Sequence, residues 1–275
     1  MTDWADRIVV IVAACWGEPR GAGGAPAVRH VGAACAEDFA AAGAQVVVVD
    51  SDAAALTELC DRIQKNGGKA HWLPADLVTP TDLERARDAC SARHKRIDVL
   101  VNCHTAIEAG GIEASSYDSW RRVVEQDLLG PAFAGKAFLP LLKRGKAPAV
   151  VNLGSLDGAL GHPLFPSYSA AKGGVAALTR VMAHDFGRYG IRVNCAARGL
   201  LAERGAVASP EMAALEAQTV LGRSGYLDEL TAVIRFLASD EASYVTGAVI
   251  PVDGGLGALT AGTIAHAAAF KAPRT

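Results

Sequence analysis

Ser155, Tyr168 and Lys172 are the side chains of this sequence whose types and spacing point most directly to a reaction. Tyr168 and Lys172 stand four apart, so on a helix they share one face and their polar heads lie close together. A free phenol titrates near pH ~10, too high for acid–base work at neutral pH. A cation held beside it favours the phenolate and lowers that value. Ser155 precedes the tyrosine by thirteen residues and carries a hydroxyl able to turn a carbonyl or alcohol oxygen toward the phenol. The chemistry these three describe is proton exchange with a bound carbonyl compound or alcohol.

The elements that must position them are legible on either side. Residues 149–153 form an apolar, β-branched run that predicts a buried strand ending just before Ser155. Residues 170–186, rich in Ala, Leu, Val and Met, predict a helix. Similar strand-like runs occupy residues 7–12, 45–50, 69–75, 97–102, 192–196 and 248–252. Ala55, Leu56, Leu59 and Ile63 repeat at helical spacing before Gly67 and Gly68, and residues 230–237 repeat likewise. The strands are continuously apolar and each is followed by a helix, which predicts a parallel sheet covered on both faces. The fold class expected is α/β: a single doubly wound domain of seven parallel strands with three helices on each face.

Bulk properties narrow the function classes. A net charge of −2 over 275 residues excludes the basic surface that nucleic acid or an anionic membrane would select. No apolar run reaches membrane-spanning length. The acidic start, Met1 to Asp6, does not read as a secretory signal. Six cysteines, at 15, 35, 60, 90, 103 and 195, show neither a C-x-x-C pair nor metal-ligand spacing. They read as reduced thiols of a cytoplasmic protein whose partner is a small molecule. Cys103 beside His104 suggests a thiolate–imidazole pair, but adjacent residues at a strand end point apart.

Ser155 at a strand end, joined to Tyr168-x-x-x-Lys172, resembles the short-chain dehydrogenase/reductase family, and the resemblance runs from about residue 7 to about residue 255. It implies a Rossmann-type fold in which Tyr168 is the acid–base group, Lys172 tunes it and holds the cofactor ribose, and Ser155 positions substrate. The family's catalytic asparagine, in an N-L-x-G pattern, corresponds to Asp127 in Asp127-Leu128-Leu129-Gly130, which makes Asp127 the fourth catalytic candidate. The resemblance assigns cofactor contacts to Gly32, Asp50, Asp76, Leu77, Asn102, Lys172 and Gly199. A carboxylate at Asp50 would repel a 2′-phosphate, so the dinucleotide expected is NAD(H) rather than NADP(H). A homotetramer or homodimer is implied as well.

The sequence departs from the family pattern on the cofactor side. An extended loop, residues 13–32, stands where the short glycine turn is expected, with Pro26 and His30 at glycine positions. Asn102-Cys103-His104-Thr105 keeps only the first residue of NNAG, Arg198-Gly199 replaces PG, and Glu203 replaces a threonine. Three functions follow: an NAD-dependent oxidoreductase interconverting a secondary alcohol and a ketone on a largely apolar small molecule; a non-redox enzyme (isomerase, dehydratase or cyclase) that uses the Tyr/Lys pair without a cofactor; or a non-catalytic subunit. Residues 1–255 read as the domain and 256–275 as a tail.

Overall fold

The computed structural model describes residues 2–15 and 30–259. Its chain runs β1 (Ile8–Val12), α1 (Val31–Ala41), β2 (Gln45–Asp50), α2 (Ala53–Lys65), β3 (Lys69–Pro74), α3 (Pro80–Arg93) and β4 (Val99–Asn102). It continues with α4 (Tyr117–Val124), a π-helical segment (Glu125–Leu129), α5 (Gly130–Leu142), β5 (Ala149–Ser155), α6 (Asp157–Leu160) and α7 (Pro166–Gly187). Then come β6 (Arg192–Arg198), β7 (Leu201–Ala202), α8 (Pro210–Glu216), β8 (Gly225–Tyr226), α9 (Leu227–Ala238) and β9 (Val249–Val252). Seven strands form one parallel sheet in the order β3-β2-β1-β4-β5-β6-β9.

Burial explains why the strands are apolar without alternation: every residue of β1 and β4 is buried, because both faces of the sheet are covered. One face carries α1, α2 and α9, through Phe39, Leu59, Ile63, Leu230 and Ile234. The other carries α3, α5 and α7, through Leu83, Phe138, Leu141, Met182 and Phe186. Each large aliphatic side chain so buried stabilises the fold by roughly 1.5–3 kcal/mol. The doubly wound sheet with three helices per face is therefore as expected. The strand order reverses between β1 and β4, the point where an open α/β sheet leaves a crevice at its carboxyl edge.

Several boundaries differ from the sequence reading. Strand β4 begins at Val99; just before it the buried Asp98 carboxylate accepts from Ile8 N and Lys146 N, while its backbone still bonds Ile8 O and Ala149 N. Strand β5 runs on to Ser155, paired with Arg198 across the ladder, so the serine belongs to the strand. Helix α7 starts at Pro166, whose fixed φ and missing N–H suit a first helical position, and this takes Tyr168 into its first turn. A two-stranded parallel ladder, β7 with β8, was not foreseen. Most of the 13–32 loop, and all of the tail beyond residue 259, lie outside the described residues.

Candidate active site

The sequence-derived candidates converge on the carboxyl edge of β4, β5 and β6. Ser155 ends β5, and its Oγ accepts the Asp157 N–H at 3.1 Å, which leaves the hydroxyl proton without another partner among the described residues. Tyr168 is 1% exposed, packed with Ala106, Val123 and Ala171, and its Oη lacks a hydrogen-bond partner. Lys172, one turn further along α7, is equally buried, with Nζ 5.5 Å from the Tyr168 ring centre.

Three oxygens surround the Lys172 ammonium. Nζ donates to His104 O at 2.5 Å and to Leu153 O at 3.2 Å. The third is Asp127 Oδ2 at 3.4 Å, a distance and direction that make an ion pair rather than a well-formed hydrogen bond. The π-helical segment turns Asp127 inward to full burial, and its Oδ1 accepts Ala106 N–H at 2.7 Å. Inserted π turns of this kind recur at functional sites. Burial pushes the Asp127 carboxyl above its ordinary range, opposed by the Lys172 charge and then by the Ala106 N–H.

Glycines allow this close assembly. A Cβ at Gly158 would sit 2.5 Å from the Lys172 backbone carbon, so only glycine lets the segment after Ser155 press against α7 there. At Gly130 a Cβ would strike the His104 ring at 2.6 Å. That ring is 2% exposed, both its nitrogens lack partners, and burial with the nearby Lys172 charge lowers its pKa to about 3. His104 faces α5 while Cys103 packs into the layer of α1, α2 and α9, so the two point apart as expected. Sequence reasoning missed the part the His104 carbonyl plays in holding Lys172; its place within the altered NNAG segment was the available signal.

The cofactor-side candidates are distributed along the same edge. Gly32 begins α1 so close to β1 that a Cβ would lie 2.4 Å from Ala13 O. Its N–H is taken by His30 Nδ1 at 3.2 Å, a side-chain cap where the family pattern has glycine. Asp50 ends β2 fully buried and accepts from Cys15 N and Ser51 N, which anchors the start of the 13–32 loop. Gly199 follows β6, where a Cβ would meet Asp253 Cα at 2.6 Å.

Other candidates also serve the fold. Asn102 Nδ2 donates to Asn152 Oδ1 at 2.8 Å, stapling β4 to β5. Asp76 spends one carboxylate oxygen on Val78 N and the other on Thr79 Oγ1, closing the turn into α3, and Leu77 is buried in the core. These two stand away from the Ser155–Tyr168–Lys172 cluster along the sheet edge, beyond β2.

Among the described residues, five have buried side-chain polar atoms without a hydrogen-bond partner, and Asn102, His104, Asp127 and Tyr168 of these lie at this one edge. Buried polar groups are otherwise nearly always satisfied. The concentration fits a polar ligand such as the hydroxyls and amide of a nicotinamide nucleoside. No group of three or more potential metal ligands occurs among the described residues.

Comparison with known proteins places this geometry in context. A family model described as enoyl-(acyl carrier protein) reductase matches residues 24–257. The chain is 35% identical to the cis-4-hydroxycyclohexanecarboxylate dehydrogenase of Sinomonas cyclohexanicum over 256 residues, 92% of this chain and 97% of that one. It is 36% identical to the meso-2,3-butanediol dehydrogenase of Serratia marcescens, over 82% of this chain and 89% of that one. Among solved structures, a short-chain type dehydrogenase/reductase from Mycobacterium ulcerans superposes with a TM-score of 0.81 at 28% identity, covering 92% of this chain and 90% of that one.

Proposed function

The chain belongs to the short-chain dehydrogenase/reductase family and is an oxidoreductase; from that premise we propose that it interconverts a secondary alcohol and a ketone on a small, largely apolar molecule with NAD(H). The observation that carries this reading is the buried Tyr168 Oη, without a partner, beside Lys172 and the strand end that bears Ser155.

The nicotinamide ring, when bound, supplies hydride acceptance and donation. The chain's own residues handle the proton and the geometry. Tyr168 Oη takes the proton of the substrate hydroxyl in oxidation and returns it to the carbonyl oxygen in reduction. The Ser155 O–H donates to the same substrate oxygen and fixes its direction. The Lys172 ammonium, 5.5 Å from the Tyr168 ring centre, places a positive charge beside the reacting oxygen in a water-poor setting. Apolar neighbours Ala106, Val123 and Phe165 keep that setting dry. Gly32, Asp50, Asn102, Gly199 and Lys172 would hold the dinucleotide, with Asp50 selecting against a 2′-phosphate; Asp76 and Leu77 bound the adenine end. The substrates named for the relatives, hydroxycyclohexanecarboxylate and 2,3-butanediol, direct attention to cyclic and vicinal secondary alcohols.

A homotetramer or homodimer belongs to the same reading, supported by exposed apolar side chains such as Val181 on α7 and Phe236 on α9. Six free cysteines fit a reducing, cytoplasmic setting. The test is a spectrophotometric screen of such alcohols and their ketones with NAD(H) and NADP(H), in parallel with light scattering for the assembly.

A further inference from the structure

A second cluster of chemistry-bearing side chains lies at the opposite edge of the sheet from Ser155 and Tyr168. Strands β2 and β3 begin there, at Gln45 and Lys69, and α3 ends there at Arg93. Between them is a cavity of about 300 Å³ lined by Gln45, Gln64, Lys69, His71, Arg93 and His94. That volume is at the lower end of the range small ligands occupy. The His71 and His94 rings stand 5.1 Å apart, tilted by 30°. His94 is 8% exposed and its Nε2 has no hydrogen-bond partner among the described residues. Buried polar atoms left in that state are rare.

Charge decides which ligand suits these groups. Lys69 and Arg93 bring two full positive charges, and no carboxylate lines the cavity among the described residues. The C-terminal end of α3 opposes them with only about half a negative charge. The last carbonyls of α2, those of Arg62, Ile63 and Gln64, are already taken by the N–H groups of Asn66, Gly67 and Gly68. A metal ion at the imidazoles would face both cations, whereas an anion would be drawn to them.

We propose that this cavity is a binding site for a tetrahedral oxyanion, free phosphate or the phosphate group of a small metabolite, held by Lys69, Arg93 and the His71–His94 pair. The contacts are charge-assisted hydrogen bonds, the strong kind. Without the anion, burial and then the Arg93 charge and the second ring push His71 down to about 4, and burial with Arg93 lowers His94 as well. A bound dianion favours the charged rings, so binding draws a proton onto the pair and affinity rises as pH falls. The groups facing the pair are Lys69 of β3, Arg93 of α3, and the uncharged Gln45 of β2 and Gln64 of α2.

Calorimetry on the full chain tests this with sulfate, a dianion throughout the range, and with glycerol phosphate, at constant ionic strength. Sulfate should bind more tightly at pH ~5.5 than at pH ~7.5, the range across which imidazoles titrate. Proton uptake should show as a dependence of the heat on the buffer. Arg93→Ala should weaken sulfate binding by about tenfold or more, the weight of a hydrogen bond to a charged group. His71→Gln should reduce the proton uptake. Arg93 is exposed and His71 half-buried, so both variants should keep the wild-type Tm. Tighter binding of glycerol phosphate than of sulfate would make a metabolite phosphate the ligand, and equal binding would make it the free anion. No binding of either anion at millimolar concentration at the lower pH, or binding unchanged in Arg93→Ala, would overturn the proposal.

Discussion

Lys172 Nζ lies 3.4 Å from Asp127 Oδ2, and the two side chains are 1% and 0% exposed. The pair ties the π-helical turn to α7 one turn beyond Tyr168. It also makes the protein's stability depend on pH in a particular direction.

Burial, the largest influence on Asp127, raises its folded pKa above the unfolded value. Its contribution to stability is then complete below the unfolded pKa, near ~3.9, and is lost as pH rises through the folded value. Thermal unfolding followed across pH should show that decline in wild type and a flatter profile in Asp127→Asn. Identical profiles would detach Asp127 from the pH response.

His104 acts with the opposite sign. Its folded pKa, lowered to about 3 mainly by burial, lies beneath an unfolded value of 6.5. The stability it contributes is present above pH ~6.5 and is lost as pH falls toward ~3. His71, lowered to about 4, works in much the same window. Replacing His104 with Ala should therefore reduce acid sensitivity between those limits, read as a smaller drop in Tm between pH 7 and pH 4, with His71 unaltered in both proteins.

Gly32 offers a purely steric check of the nucleotide side. The methyl group of Gly32→Ala would meet Ala13 O at 2.4 Å and Ala14 Cα at 2.7 Å, both backbone atoms that cannot step aside. Overpacking of that kind costs on the order of 1–3 kcal/mol. Urea denaturation should show a loss of that size, together with weaker dinucleotide binding as α1 is pushed from β1.

Cofactor preference tests Asp50. A fluorescence titration should find NADH bound more tightly than NADPH, by roughly tenfold or more for a charge repulsion of about 1.4 kcal/mol. Asp50→Ser should narrow the gap. Tighter NADPH binding in wild type would reverse the assignment and point to an arginine as a phosphate clamp.

Sequence alone carried the sheet further than the site. The seven strands stand out because both faces of each are buried, so Val9 to Val12 or Val46 to Val49 are unbroken apolar runs. Ser155, Tyr168 and Lys172 are legible because a fixed spacing on one helix, joined to a strand end, has few other uses. Nothing in residues 125–129 spells a π turn, since its extra residue per turn comes from tertiary packing rather than local propensity. The burial of the His104 ring is equally silent in sequence, because it depends on a glycine 26 residues away at Gly130. The turn that Asp76 closes with both carboxylate oxygens is likewise not visible from its position in the family pattern. The ladder of β7 with β8 is two residues long on each side, too short to mark the sequence.

Redox chemistry with Tyr168 as the acid–base group is tested most directly by one paired measurement. Wild type and Tyr168→Phe would be compared for NADH formation with cyclic and vicinal secondary alcohols, alongside NADH binding by calorimetry. The Tyr168 hydroxyl has no partner to lose, so the variant should fold and bind NADH as wild type does. Its turnover should fall by about 10²–10⁴-fold, the usual weight of a positioned proton donor. Equal turnover in the two proteins, or wild type that neither binds NAD(H) nor forms NADH with any of these alcohols, would contradict the account.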